Sequence, residues 1–191
     1  MNALTVNLQS VLELTDEQFF QLCRANSDLR FERTAKGELI IMPPTGGETG
    51  NKNARITQQV MNWTDADGTG IAFDSSTCFK LPNGADRSPD AAWIKLARWN
   101  TLTQEQKEKF PPICPDFVIE LLSPTDSLKV TQEKMKEYID NGVQLGLLIN
   151  RKLRQVMIYR EGREVEILES PTTVSGEEVL NGFVLNLEPI W

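Results

Sequence analysis

The feature that most constrains the fold of this 191-residue chain is a nearly unbroken apolar run, Phe117 to Leu122, which contains a single acidic residue, Glu120. Runs of this kind are typical of strands that are buried on both faces of a sheet. A helical pattern follows from about Leu128 to Asn141, stops at Gly142, and leads into a second apolar run, Leu145 to Asn150. Strand, helix and strand in that order indicate a βαβ unit or a close relative of one.

Shorter patterns on either side of this unit predict further elements. The residues Thr15 and Gln18 resemble a capping box that opens a helix, and two strand-like runs joined by Ala-Lys-Gly predict a hairpin over 29–42. Further helices are expected at 48–63 and 102–109, and further strands at 70–73, 77–81, 91–94, 155–159, 165–168 and 183–187. The sequence therefore predicts an α/β (α+β) fold with a mixed central β-sheet flanked by helices, an extra N-terminal hairpin and C-terminal β-strands, in a single domain over 1–191.

The composition excludes several kinds of chemistry. The chain has no histidine, so it can form no Ser-His-Asp triad, no Cys-His pair and no His-ligated zinc site. Acid-base or metal chemistry must then come from carboxylates, lysines, thiols or water, and oxygen ligands favour Mg²⁺ or Mn²⁺. The net charge of −7 argues against a broad basic surface for nucleic acid, although a local basic patch is compatible with it.

Cysteine usage and the N-terminal segment indicate the compartment. Cys23, Cys78 and Cys114 are widely spaced and form no CxxC motif, which favours reduced, buried thiols over a disulfide framework. The segment MNALTVNLQS has neither the basic nor the apolar region of a signal peptide. No apolar run reaches the ~20 residues that a membrane span needs. We therefore expect a cytoplasmic protein without a membrane partner.

Glu120 is the most informative candidate for a functional residue. A lone carboxylate among Phe, Val, Ile and Leu is unfavourable unless it is paired, protonated or bound to a cation. One interpretation is an ion pair at the edge of the sheet, and the other is a metal ligand. Asp90, in a Ser-Pro-Asp turn just before a predicted strand, is a second candidate, although Asp after Pro is also common in turns for local reasons.

Lys134 is the third candidate. With about 100° per residue, its side chain lies about 40° from Val130 around the predicted helix, inside the arc that also holds Met135 and Tyr138. A lysine in that arc either extends outward to solvent or meets a buried anion. Glu120 is the nearest candidate anion, because this helix directly follows its strand.

These candidates together indicate a more specific chemistry than any one of them alone. Metal-dependent phosphodiester hydrolysis uses groups of this kind: an acidic residue after a proline, a carboxylate in a buried strand and a core-facing lysine on the next helix. Two carboxylates and a backbone carbonyl hold Mg²⁺, and the bound ion lowers the pKa of a water molecule. The lysine orients that water or offsets charge that develops on the phosphate.

The motifs resemble the PD-(D/E)XK nuclease superfamily, which has the restriction endonuclease-like fold. More narrowly, the chain resembles a large bacterial family of restriction endonuclease-like proteins that was long filed as a domain of unknown function. The order and spacing of the matching segments, which span nearly the whole chain, carry the resemblance: 42–48, 87–90, 115–125, 133–138 and 142–143.

The resemblance implies a role for each of several residues. Asp90 matches the Pro-Asp aspartate, and Glu120 matches the second acidic position of the motif. The usual lysine two positions later is a leucine here, and Lys134 lies where the narrower family carries the migrated lysine. Glu48 matches an acidic residue that some members add from the first core helix. The implied metal ligands are Asp90, Glu120, Glu48 and the backbone carbonyl of Leu121, around Mg²⁺ or Mn²⁺.

Three functional hypotheses remain open from the sequence. The leading one is a Mg²⁺-dependent DNA endonuclease of the bacterial cytoplasm, a homodimer as in related folds, without a nucleotide cofactor. The alternative is a catalytically inactive nuclease-like domain that binds a protein or nucleic-acid partner, which the −7 charge favours. A weaker third hypothesis is a small-molecule enzyme with a carboxylate-bound metal.

Overall fold

The computed structural model describes residues 3–8 and 11–191. The prediction for the N-terminal segment includes Met1, Asn2, Gln9 and Ser10, which lie outside the described residues. The helices are Asp16–Ala25 (α1), Gly47–Asp67 (α2), Leu96–Trp99 (α3), Gln104–Glu108 (α4) and Leu128–Asp140 (α5). The strands are Leu4–Val6 (β1), Arg30–Arg33 (β2), Leu39–Met42 (β3), Gly70–Asp74 (β4), Phe79–Lys80 (β5), Asp86–Arg87 (β6), Ala91–Lys95 (β7), Phe117–Leu121 (β8), Leu145–Asn150 (β9), Gln155–Arg160 (β10), Glu166–Glu169 (β11), Thr173–Ser175 (β12) and Val184–Asn186 (β13).

The central sheet has the strand order β11-β10-β9-β8-β7-β4. Strands β8 and β9 are parallel, with Glu120 beside Leu148, and α5 connects them. The other neighbours in this sheet pair antiparallel. The predictions of a mixed central sheet and of a βαβ unit at its centre are therefore confirmed.

Each face of the central sheet packs against a different helix because side chains alternate along a strand. Ile119 of β8 lies in one apolar cluster with Ile56 of α2. Val118 of the same strand lies in a second cluster with Met135 and Tyr138 of α5. Glu120 has the same parity as Val118, so its side chain is directed to the α5 face.

A second sheet has the order β1-β3-β2-β6-β5. The predicted hairpin is present as the antiparallel pair β2 and β3, and Gly37 in its turn has a φ of +81°, a conformation that glycine adopts without a Cβ penalty. The hairpin is not isolated, since Arg33 of β2 pairs with Asp86 of β6. Strand β6 lies just before the Ser-Pro-Asp turn, so the second sheet reaches the segment that carries Asp90.

The exposure of Val130 differs from what the helical pattern predicts. Val130, placed in the apolar arc of α5, is 63% exposed, because it lies in the first turn of the helix, ahead of the buried pair Met135 and Tyr138. The three cysteines are free thiols, of which Cys78 and Cys114 are buried.

Among the described residues, none of the helices combines the length and the apolar character that crossing a bilayer requires.

Candidate active site

The structure brings Asp90, Glu120 and Lys134 together at the C-terminal end of β8. The ammonium nitrogen of Lys134 lies 2.8 Å from Oε1 of Glu120. Oδ2 of Asp90 accepts a hydrogen bond of 2.8 Å from the backbone N–H of Leu121, the residue that follows Glu120. Three residues from three different elements therefore meet at one edge of the central sheet.

Strand pairing and helix spacing explain this convergence. Strand β7 runs antiparallel to β8, with Ala91 beside Ile119, so the next position outward puts Asp90 beside Glu120. Helix α5 then returns across the same face. Lys134 and Tyr138 are one turn apart on α5 and so share a side of the helix. The hydroxyl of Tyr138 donates to the same Oε1 of Glu120 at 3.0 Å.

A second carboxylate, Glu32, completes the surroundings of the lysine. Glu32 is on β2 and is only 3% exposed. Its Oε1 lies 2.8 Å from Nζ of Lys134 and accepts a hydrogen bond of 2.9 Å from the backbone N–H of Ser88. Its Oε2 lies 3.1 Å from Arg87. Sequence reasoning missed Glu32, because only the pairing of β2 with β6 carries this strand to the site.

Arg87 extends the charged cluster toward α5. Its Nε lies 2.6 Å from Oε2 of Glu137, so one guanidinium holds a carboxylate of the second sheet and one of the helix. The cluster contains four carboxylates, the side chains of Glu32, Asp90, Glu120 and Glu137, and two cations, Lys134 and Arg87. If all six groups are ionised, the local charge is 2 − 4 = −2.

The electrostatics of the cluster distinguish its carboxyl groups. Burial raises the pKa of Glu120 to about 7; the Lys134 charge opposes this shift, while Asp90 and Glu32 add to it. Burial likewise raises the pKa of Asp90. Burial also opposes ionisation of Glu32, but Lys134 and Arg87 outweigh it and leave the pKa of Glu32 lowered. Glu120 therefore binds a proton more strongly than an ordinary glutamate does, and a pKa of about 7 lets its protonated and ionised forms coexist near neutral pH.

The lysine stays charged despite its burial. Desolvation favours the neutral amine, but the facing carboxylates of Glu120 and Glu32 outweigh it and raise the pKa of Lys134. Both acceptors lie at 2.8 Å, the short distance of a charge-assisted hydrogen bond. A buried ammonium can stabilise negative charge more strongly than an exposed one, because the surroundings screen it less.

Glu48 lies apart from this cluster. It is in the first turn of α2, its side chain is 73% exposed, and it forms an ion pair with the guanidinium of Arg151. Arg151 follows β9, whose end lies beside the end of β8. The structure therefore places Glu48 at the same edge of the sheet, but in contact with Arg151 and not with Lys134.

Asn53 of α2 is a further neighbour that sequence reasoning missed. Its Nδ2 donates a 2.7 Å hydrogen bond to Oδ1 of Asp90. Its Oδ1 is buried and has no hydrogen-bond partner among the described residues. A buried acceptor without a donor is unfavourable, so this amide oxygen is free to face a cation or a water. No motif of the sequence marked it, because Asn on a helix is usually a solvated residue.

The donors at the site fit a small hard cation. Asp90 and Glu120 supply carboxylate oxygens, and the unpaired Oδ1 of Asn53 lies on the residue that contacts Asp90. In the described ranges, 3–8 and 11–191, no three His, Cys, Asp or Glu side chains form a group that could hold a metal ion. Mg²⁺ does not require such a group, because it is usually bound through one or two carboxylates, with waters and substrate phosphates as its other ligands.

These features define a class: a mixed sheet with acidic residues at the ends of two adjacent strands and a lysine on the following helix, as in restriction endonuclease-like proteins. The fold is similar to the crystal structure of "a putative nuclease belonging to DUF820" from Anabaena variabilis ATCC 29413, with a TM-score of 0.77 and 20% identity over 93% of this chain and 97% of that chain. A model of the Uma2 family, described as "Putative restriction endonuclease", matches residues 16–188. The chain therefore belongs to the Uma2 family. The search of curated proteins gave no match.

Proposed function

We propose that this protein is an endonuclease that hydrolyses phosphodiester bonds of DNA with the help of Mg²⁺ or Mn²⁺. The observation that carries the proposal is the convergence of Asp90, Glu120 and Lys134 at one end of β8, with Lys134 Nζ 2.8 Å from Glu120. Membership in the Uma2 family, described as "Putative restriction endonuclease", supports it. A homodimeric state stays a prediction.

The oxygen donors of the site would hold the ion. Asp90, Glu120 and the backbone carbonyl of Leu121 are the proposed ligands, and Glu48 is an outer one that would have to leave Arg151 to take part. The bound ion would offset the local negative charge, polarise the phosphate and lower the pKa of a bound water. Water and phosphate oxygens would supply its remaining ligands.

The protein's own residues then hold and polarise the reacting groups. Lys134 presents a charged ammonium that can donate to the attacking water or to a phosphate oxygen, where it stabilises developing negative charge. Tyr138 and Lys134 both contact Oε1 of Glu120, so neither contact occupies Oε2, which is the oxygen that we propose as the metal ligand. Asn53 and the Leu121 N–H hold the two oxygens of Asp90 in place.

A second candidate function is a nuclease-like domain that binds a protein or nucleic acid without cleaving it. Two observations favour it. The chain carries a net charge of −7, whereas proteins that bind DNA usually neutralise phosphates with clustered Lys and Arg. In addition, Glu48 is paired with Arg151 and, within the described residues, no three acidic side chains converge as a metal cluster.

Cleavage assays with matched variants separate the two functions. Wild type, Glu120→Ala and Lys134→Ala are incubated with supercoiled plasmid and with single-stranded DNA in Mg²⁺, Mn²⁺ or EDTA. We expect metal-dependent nicking by the wild type and a loss on the order of 10³-fold in both variants, because each removes a group that acts on the reacting atoms. Equal nicking by all three proteins would assign the activity to a contaminant or another site. Binding of DNA without cleavage in any metal would support the inactive domain.

A further inference from the structure

Glu32 is a buried carboxylate that no motif of the nuclease core includes. It lies on β2 of the second sheet, is 3% exposed, and contacts Lys134 at the same distance as Glu120 does, 2.8 Å. We propose that Glu32 is a positioning residue, which holds the ammonium of Lys134 against Glu120 and so makes the second sheet part of the active site. This inference rests on the proposed nuclease function.

The hydrogen bonds around Lys134 are the first support. An ammonium has three N–H donors. The structure supplies two close acceptors, Glu120 and Glu32 at 2.8 Å each, and a long contact of 3.4 Å to the carbonyl of Ser88, which a water or a phosphate oxygen would replace. Lysine has a flexible four-carbon side chain that places a point charge. Without Glu32, Glu120 would be the remaining counter-charge in contact with the ammonium, and a cation that binds Glu120 would compete with Lys134 for it.

The second support comes from what else Glu32 binds. Its Oε1 also accepts the backbone N–H of Ser88 at 2.9 Å, and its Oε2 lies 3.1 Å from Nη1 of Arg87. Both residues belong to the segment that leads into Asp90. One side chain therefore fixes the lysine on α5 and the turn that positions the aspartate.

Charge balance gives the third support. A buried ammonium that loses its counter-charge is strongly unfavourable. If Glu120 directs its charge to a cation, Lys134 needs another anion to stay in place, and Glu32 is the one within 2.8 Å. Glu32 can serve in this way because it lies on a different sheet from Glu120 and is held there by Ser88 and Arg87.

The test compares two isosteric substitutions on neighbouring strands. Glu32→Gln replaces one oxygen by an amide that meets only donors, so it disrupts the arrangement around Lys134. The control is Asp86→Asn on β6, which is also buried, at 2% exposure, but pairs with Arg33 at 2.7 Å. We expect Glu32→Gln to lower kcat for DNA cleavage about 10- to 100-fold with little change in KM. Asp86→Asn should keep the wild-type rate per folded molecule.

A double-mutant cycle and a structure make the outcome decisive. If Glu32 acts through Lys134, Glu32→Gln should have no further effect on cleavage in a Lys134→Met background. In a crystal structure of Glu32→Gln grown with Mg²⁺, the Lys134 ammonium should have left its position beside Glu120, because the cation then takes the charge of Glu120 and no Glu32 carboxylate replaces it. Equal kcat values for Glu32→Gln and Asp86→Asn, or an unmoved lysine in that crystal structure, would overturn the proposal. If the wild type cleaves no DNA, the proposed function fails, and the position of Lys134 in the variant structure alone decides whether Glu32 positions it.

Discussion

Strand β8 has a buried carboxylate near each end, and the two are held in opposite ways. Asp116, just before the strand, is fully buried and accepts hydrogen bonds from Lys95 N–H and Gln144 Nε2, each at 2.9 Å. Arg98 lies 2.9 Å from it. Its two oxygens thus share three donors, and no second carboxylate of the described residues contacts these donors.

Among the described residues, Glu120, at the other end of β8, does not have donors on both of its carboxylate oxygens in the same way. Both of its side-chain contacts, with Lys134 and Tyr138, fall on Oε1. The lysine is shared with Glu32, and Asp90 adds repulsion, so the pKa of Glu120 rises to about 7. The comparison indicates that burial alone does not distinguish Glu120, the proposed functional carboxylate, from Asp116. An incompletely satisfied carboxylate next to a like charge is the arrangement that favours binding of a cation.

The largest expected difference between the two ends is in catalysis. Glu120→Gln should lower metal-dependent DNA cleavage on the order of 10³-fold, because it removes a proposed ligand and the partner of Lys134. Asp116→Asn should leave the rate per folded molecule near that of wild type. Plasmid nicking, normalised to the folded fraction from circular dichroism, measures both. A loss in Asp116→Asn as large as in Glu120→Gln would break the functional contrast between the two ends.

For the free energy of unfolding, we expect a loss at Asp116 and none at Glu120. Asp116→Asn places an amide N–H₂ against donors in a fully buried site, so we expect it to lower the free energy of unfolding by about 2–3 kcal/mol. Glu120→Gln removes a charge that burial and the neighbouring carboxylates disfavour, so at pH 8 it should not lower the free energy of unfolding. Urea denaturation at fixed pH, with EDTA present, gives both values. A greater loss of stability in Glu120→Gln than in Asp116→Asn would contradict the comparison.

The raised pKa of Glu120 predicts a pH dependence of definite sign. Between about 4.5, its ordinary value, and about 7, the folded state retains a proton that the unfolded state has released. Wild-type stability relative to Glu120→Gln should therefore fall as the pH rises through this window, by at most about 1.4 kcal/mol per pH unit. Above pH 7 the difference should level off.

Denaturant titrations of both proteins from pH 4 to pH 8 measure this difference. Millimolar Mg²⁺ should favour the ionised form and shift the window to lower pH, since an ion that binds only the folded state stabilises it. A stability difference that rises with pH would show that Glu120 does not retain the proton. A stability difference that Mg²⁺ leaves unchanged would show that Glu120 does not contact the ion.

The smallest effect is expected at Glu48, the predicted residue that lies apart from the cluster. Its side chain is 73% exposed, and exposed ion pairs contribute only about 0.2–1 kcal/mol. Glu48→Gln should therefore leave thermal unfolding nearly unchanged and lower cleavage about 10-fold, as expected for an outer ligand. Arg151→Ala, which frees Glu48, is the matched control. If Glu48→Gln cleaves DNA at the wild-type rate, Glu48 is not part of the proposed site.

The comparison also explains which parts of the site were predictable. Glu120 was recognisable because it interrupts an apolar run, and Lys134 because its angle on the helix lies among apolar residues. Both signals are local. Val130, in the same arc, is 63% exposed, because periodicity gives the direction of a side chain but not how far the covering sheet extends.

Glu32 and Asn53 could not be found in this way. Glu32 reaches Lys134 only because β2 pairs with β6, and Asn53 reaches Asp90 only because α2 packs on the face opposite to α5. Strand pairing between distant segments and the packing of two helices on opposite faces leave no periodic trace in the residues themselves.

The amino-acid sequence by itself determined the buried strand, its βαβ surroundings, the exclusion of histidine chemistry and the side of α5 on which Lys134 lies. These follow from local periodicity and composition, which depend on neighbouring residues. Only the tertiary structure decided that Lys134 is shared between Glu120 and Glu32, that Asn53 holds Asp90, and that Glu48 pairs with Arg151. Such contacts join residues far apart in the chain, and their distances depend on how the two sheets and two helices pack.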